Sequence, residues 1–210
     1  MSVSQNPLTG HMKKSMGNFT TSSYNGMNTV RAKVFKRKDS KTKAQIDHRI
    51  GFKLVVDAYN SMGGLAEWGF VERKKNFSAY NMFISANYPS AIDKTGELPV
   101  LNYPMLFISK GSIPKVKLIE SILNTDSLII RYETSLGLPK VSETDEIVVV
   151  AKYPTGELLV EKQTRGSEKT GSILIPLIKI TTCKPECCYV FARSTDGKKA
   201  SNSIYVELND

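Results

Sequence analysis

The apolar positions of this chain change period along its length. Between Phe19 and Val34 they alternate with polar ones: Val30, Ala32 and Val34 share one side of an extended chain, and Arg31 and Lys33 share the other. Two such runs, Phe19 to Tyr24 and Met27 to Val34, flank Asn25-Gly26, the pair that supplies both positive-φ residues of a type I′ turn, so a β-hairpin is predicted over 17–34. From Ile46 the apolar residues recur every fourth position (Ile46, Ile50, Leu54, Ala58, Met62), with Val55 and Tyr59 widening the stripe. Thr42 and Gln45 fit a capping box and Met62-Gly63-Gly64 a glycine stop, which predicts a helix over 43–61. A short helical turn is expected over 65–69, and a second full helix over 79–87, capped by Ser78 and closed by Tyr88-Pro89.

From Leu98 the pattern becomes short β-rich runs separated by turn residues. Strands are predicted over 105–109, 116–119, 127–132, 146–153, 157–162, 172–177, 188–194 and 203–208, with Pro154-Thr155-Gly156 and Thr195-Asp196-Gly197 as hairpin turns. That density of strands suits an immunoglobulin-like or fibronectin-III-like β-sandwich. The expected fold is therefore α+β, in three parts: an extended arm over 1–16, a basic hairpin-and-helix domain over 17–92, and a β-sandwich domain over 98–210. Pro89, Asp93 and Gly96 mark the boundary between the two domains.

Charge sharpens this division. The formal net charge is +9, and residues 1–90 hold 14 Lys and Arg against 5 acids while residues 91–210 hold 15 against 15. The basic residues concentrate at Arg31, Lys33, Lys36, Arg37, Lys38, Lys41 and Lys43, continuing to Arg49 and Lys53. Three readings of this stretch stay open: a solvated face, a surface for nucleic acid, or a surface for an acidic protein neighbour. Few side chains suited to base edges accompany the charges, so a DNA contact would be independent of sequence.

Other candidate chemistry is sparse. No convergent acids, nucleophile with base, or phosphate loop occurs, so no catalytic residue, cofactor or metal is expected and the protein reads as non-enzymatic. Cys183, Cys187 and Cys188 lie too close together for a disulfide framework and lack the paired spacing of a zinc site; they read as thiols of a reducing compartment, buried on a strand or near a turn. His48 falls on the flank of the helix stripe, as a surface histidine would. Trp68, Tyr80 and Phe83 read as core, and Asp145-Glu146 as part of a solvated sandwich face. The polar N-terminus lacks the apolar core of a signal peptide and no run of about 18 apolar residues occurs, so no membrane partner is expected.

Met1 to Met16 contains too little apolar surface to offset the entropy of ordering it, about 1–2 kcal/mol per residue for the backbone. The expectation is an assembly arm that leaves its own domain, with Leu8, Met12 and Met16 packing on a neighbouring chain and Lys13 and Lys14 meeting acids there.

Four short patterns run through nearly the whole chain: Asn25-Gly26 leading to Val30-Arg31; Ala44-Gln45 followed by Arg49 and Phe52; Ser78-Ala79-Tyr80-Asn81 with Phe83; and Ser201-Asn202-Ser203. In order and spacing they resemble a family of uncharacterised proteins, a domain of unknown function, found in Bacteroidota and in the phages that infect them. The chain departs from the family pattern after Arg31, where Val34-Phe35 stands in place of an expected proline, and in its longer arm. The resemblance carries no catalytic residue. It implies a phage setting, and with the missing chemistry, the polar arm and the split charge the expectation is a structural component of a tailed-phage virion, such as a head-tail connector ring or a capsid-associated protein. Such a protein would be assembled in the host cytoplasm with further copies of itself and other virion proteins. The alternative is an architectural protein that binds DNA without regard to sequence. A surface adhesion module is disfavoured by the absence of an export signal.

Overall fold

The computed structural model describes residues 2–4, 14–24, 27–35, 41–124, 127–176 and 184–208, and these divide into two compact units between Thr42 and Lys43. The first unit is a four-stranded antiparallel sheet built from β1 (Ser2–Ser4), β2 (Lys14–Met16), β3 (Phe19–Tyr24) and β4 (Met27–Ala32), in the order β1-β4-β3-β2. Tyr24 pairs with Met27, the register that a two-residue connection imposes; the Asn25-Gly26 turn itself lies outside the described residues. Where the segment expected to be an arm is described, at residues 2–4 and 14–16, it pairs within its own unit. Residues 2–4 pair with β4 (Ser2 opposite Val30) and residues 14–16 with β3 (Lys14 opposite Thr21), so the hairpin beside them takes up the inward-facing half of their backbone hydrogen bonds. Leu8, Met12 and Lys13 lie outside the described residues.

The second unit begins with α1 (Lys43–Ser61), α2 (Leu65–Gly69) and α3 (Ala79–Asn87), followed by a short ladder of β5 (Ile92–Asp93) with β6 (Val100–Leu101). Seven strands then form the sandwich: β7 (Lys117–Leu123), β8 (Ser127–Glu133), β9 (Glu146–Lys152), β10 (Leu158–Thr164), β11 (Thr170–Pro176), β12 (Cys187–Arg193) and β13 (Ile204–Val206). They pair as β11-β8-β7 and β10-β9-β12-β13, antiparallel throughout. Local chemistry sets the helix ends as the sequence indicates. Ser78 Oγ accepts from the Asn81 amide at 3.1 Å, and Gly63 and Gly64 take φ +47° and +80° after α1, a region that only glycine enters without cost.

The core has two layers. Ile147, Val149 and Ala151 of β9 and Cys188, Val190 and Ala192 of β12 face the other sheet, where Leu128, Ile130, Tyr132, Ile173 and Ile175 meet them. Val148 and Val150 of β9 and Cys187, Tyr189 and Phe191 of β12 face the opposite way, into a second core formed with Val55, Met62, Phe70 and Phe83 of the helical segment and with Leu106 and Ile108. Both strands are thus buried on both faces, which is why they read Ile-Val-Val-Val-Ala and Cys-Cys-Tyr-Val-Phe-Ala instead of alternating. This arrangement displaces the boundary expected between 92 and 98: residues 43–92 form the third layer of the sandwich unit, and their apolar faces have no core without β9 and β12.

Two further expectations change. The four-residue repeat from Ile46 advances 40° around the helix at each step, because 3.6 residues make a turn, so its first member ends far from its last. The face that meets the core is Gly51, Val55, Ala58 and Met62, while Ile46 and Phe52 are exposed. The strand expected over 105–109 is instead a 3₁₀ turn (Tyr103–Met105) and an extended segment. Leu106 and Ile108 are buried as a strand would bury them, but side chains and turns take the place of a ladder: the Phe107 amide donates to Asn87 Oδ1 (2.7 Å) and that of Ile108 to Ser203 Oγ (3.0 Å).

Candidate nucleic-acid interface

The first unit places its cations on an open sheet. Thr21 is the one buried residue among its described side chains; the rest are exposed or half-buried. In the ladder Ser15 lies opposite Thr20 and Thr20 opposite Arg31, with Ser22 opposite Thr29 on the same face, where the two hydroxyls are 2.6 Å apart. Lys33 follows Arg31 by two positions, and its amide still donates to Asn18 O at 2.7 Å, so the pairing extends to it. Its ammonium lies 5.5 Å from the centre of the exposed Phe35 ring. Arg31, Lys33, Lys14 and Lys41 are all exposed, as is Lys43 at the start of α1 in the second unit. Lys36, Arg37 and Lys38 lie outside the described residues. The expected sharing of one face by Arg31 and Lys33 therefore corresponds to the register, and the stretch from Arg31 to Lys43 crosses from one compact unit into the other.

The second unit holds polar clusters of a different kind. Ser109 Oγ donates to Ser201 O (2.6 Å) and lies 3.0 Å from Gly69 O; Ser203 Oγ accepts the Ile108 amide; Ser201 Oγ accepts the Ala192 amide (2.8 Å). Glu72 Oε1 accepts the amides of Ser112 (2.7 Å) and Ala200 (3.2 Å). Burial alone would raise the Glu72 carboxyl; these hydrogen bonds outweigh it and hold the group below its ordinary value. The backbones here approach so closely that a Cβ on Gly69 would stand 2.1 Å from Ile108 O. Ser201-Asn202-Ser203 is thus a staple that joins α2, the extended segment and the β12–β13 connection. Ser78, Ala79 and Phe83 likewise cap and bury α3.

Titratable groups gather a second time around β12. Glu186 accepts from Lys152 Nζ and from the Tyr103 hydroxyl (2.9 Å), and Tyr189 donates to Tyr103 O at 3.0 Å. Burial pushes the Cys187 thiol up to about 11 and raises Cys188 further, so neither is poised as a nucleophile at neutral pH. As neighbours on a strand they point to opposite faces, one into each core, an arrangement that keeps them from sharing a ligand. Cys183 lies outside the described residues.

Asp145, expected on a solvated face, is buried. Its carboxylate accepts the Ser142 amide (3.0 Å) and faces Arg165, whose guanidinium donates to Thr134 O at 2.7 Å. The signal available in the sequence was weak, since an acid and an arginine twenty residues apart carry no period. His48 is exposed, edge-on to Tyr88. Trp68 is half-buried with Lys162 Nζ 3.8 Å over its ring, so that face of the indole is occupied.

The residues that carried the family resemblance at 78–83 and 201–203 cap, bury and staple the scaffold. No curated protein matches the sequence. A family model does, over residues 10–207, which takes in three of the four strands of the basic sheet, the helical layer and the sandwich: the chain belongs to the family of unknown function DUF6266.

Proposed function

We propose that the protein is a non-enzymatic assembly subunit, and that its assembly is a component of a tailed-phage virion such as a head-tail connector ring or a capsid-associated layer. The observation that carries this reading is the N-terminal sheet, four strands with a single buried residue, Thr21, among the described side chains. A sheet in water gains stability by covering an apolar face, and in a multi-subunit body neighbouring copies supply that cover. The phage origin rests on the resemblance at the four sequence patterns. The order β11-β8-β7 against β10-β9-β12-β13 favours a fibronectin-III-like sandwich, an architecture that many unrelated structural and cell-surface domains share.

The clusters around Ser109, Glu72 and Glu186 support the non-enzymatic part, because the hydrogen bonds described for them run to backbone groups or to one another. Light scattering on the full chain over a range of concentrations tests the reading. A discrete multi-subunit mass, or steep growth of mass with concentration, is the expected result; a monomer at every concentration removes it.

A further inference from the structure

The boundary at Thr42 isolates most of the protein's charge. Residues 1–42 hold eight Lys and Arg against Asp39 alone, which is +7 of the total +9; residues 43–210 hold 21 against 19. The register then sorts the described part of that charge by face. Ser15, Thr20, Ser22, Thr29 and Arg31 project to one side, with Lys33 two positions on, while Phe19, Thr21, Val30 and Ala32 project to the other, which also takes Lys14 opposite Thr21. Among the described residues Arg31 forms no ion pair, and the sequence of the sheet, residues 2–32, contains no Asp or Glu.

We propose that this hydroxyl-and-cation face lies along the phosphate backbone of nucleic acid, a role that goes beyond the assembly reading and stands without it. Arginine presents a fork of donors that matches a phosphate, and serine and threonine hydroxyls are ordinary phosphate donors. Arg31 and Lys33 are spaced by two strand residues, about 6.6 Å, far enough apart for each to meet its own phosphate of a densely charged backbone. A polyanion with a charge every few ångströms can occupy such a row continuously. Surface carboxylates of a protein, interspersed with lysines, would match it only in part. Cations and hydroxyls laid along the phosphates fix position and carry no sequence information, so binding in this mode is independent of sequence.

The test uses the full chain and two unrelated duplexes of about 20 base pairs, long enough to present many phosphates at one per 3.4 Å per strand, with fluorescence anisotropy read at several salt concentrations. Equal affinity for both duplexes is expected, falling linearly on a log-log plot. The double variant Arg31→Ser/Lys33→Ser binds more weakly and its slope is flatter by about 1.8, or 0.9 for each phosphate that the variant no longer neutralises. Arg31→Lys/Lys33→Arg retains binding, and Lys117→Ser, on β7, leaves it unchanged. Three results overturn the proposal: no salt-dependent binding; a double serine variant that binds like the parent; or displacement of the duplex by polyglutamate at equal charge concentration, which would mark the face as a site for acidic protein. The mass of each variant by light scattering reports assembly separately, so either reading can fail alone.

Discussion

Two four-stranded antiparallel sheets in this molecule have the same backbone pattern and opposite surroundings. In β10-β9-β12-β13 the two central strands are covered on both faces, by the second sheet and by the helical layer, and Ile147 to Ala151 and Cys187 to Ala192 are fully buried. In β1-β4-β3-β2 the central strands Phe19–Tyr24 and Met27–Ala32 bury Thr21 alone among their described side chains. The first sheet is bound by packing and its residues answer to shape. The second is held by its ladder and presents hydroxyls and cations outward. Two phenylalanines make the contrast concrete, Phe191 with no exposed surface and Phe19 with 55% exposed.

The comparison is open to attack in descending order of effect. Removing the helical layer should cost the most: a fragment of residues 98–210 would expose Val148, Val150, Cys187, Tyr189 and Phe191 on one face of its sheet. It is expected to aggregate or to lose near-ultraviolet circular dichroism. A soluble, cooperatively melting fragment would show that the helices are dispensable and the two-sided burial incidental. Next, Phe191→Ala should destabilise the full chain by about 3–5 kcal/mol in urea unfolding, the range for deleting a buried phenylalanine.

A smaller effect is expected from acid. In the folded chain Glu72 titrates below its ordinary value, and in the unfolded chain at that value, near 4.5. Its contribution is therefore complete above the unfolded value and is lost as pH falls toward the folded one. The urea midpoint should decline below about pH 5, and Glu72→Gln should be less stable at neutral pH with a shallower acid decline. An unchanged pH profile in that variant would mean that the Ser112 and Ala200 amides do not favour the carboxylate. The smallest change is expected for Phe19→Ala, within about 0.5 kcal/mol when measured on dilute subunits, as for surface substitutions generally. A loss matching that of Phe191→Ala would reveal a covered face and end the contrast.

Much of this architecture was legible in the chain. The extents of all three helices, the Ser78 cap, the glycine stop after α1 and seven of the sandwich strands follow from local signals: hydrophobic period, turn dipeptides and capping residues. The facing of Arg31 and Lys33 follows from the two-residue period of a strand. The family signature at 201–203 was visible as a pattern, although its work as a hydrogen-bonded staple to Ser109 was not, because the partners are about ninety residues apart.

What the sequence determined by itself was most of the elements and, within the strands, which residues share a face, since those depend on neighbours within a few residues; the buried face of α1 and the path of 105–109 were not among them. What only the tertiary structure decided was which elements share a core. The unbroken apolar runs 147–151 and 187–192 require cover on two sides, yet nothing local says that 43–92 supplies it, and so the division of the chain moved from the Pro89 region to Thr42. The same holds for Asp145, buried by an arginine that no period links to it, and for residues 2–4 and 14–16, whose polar side chains promised no order but whose amides found a ladder. Long-range pairing satisfies groups that local composition leaves unsatisfied, and that is a property of the folded arrangement alone.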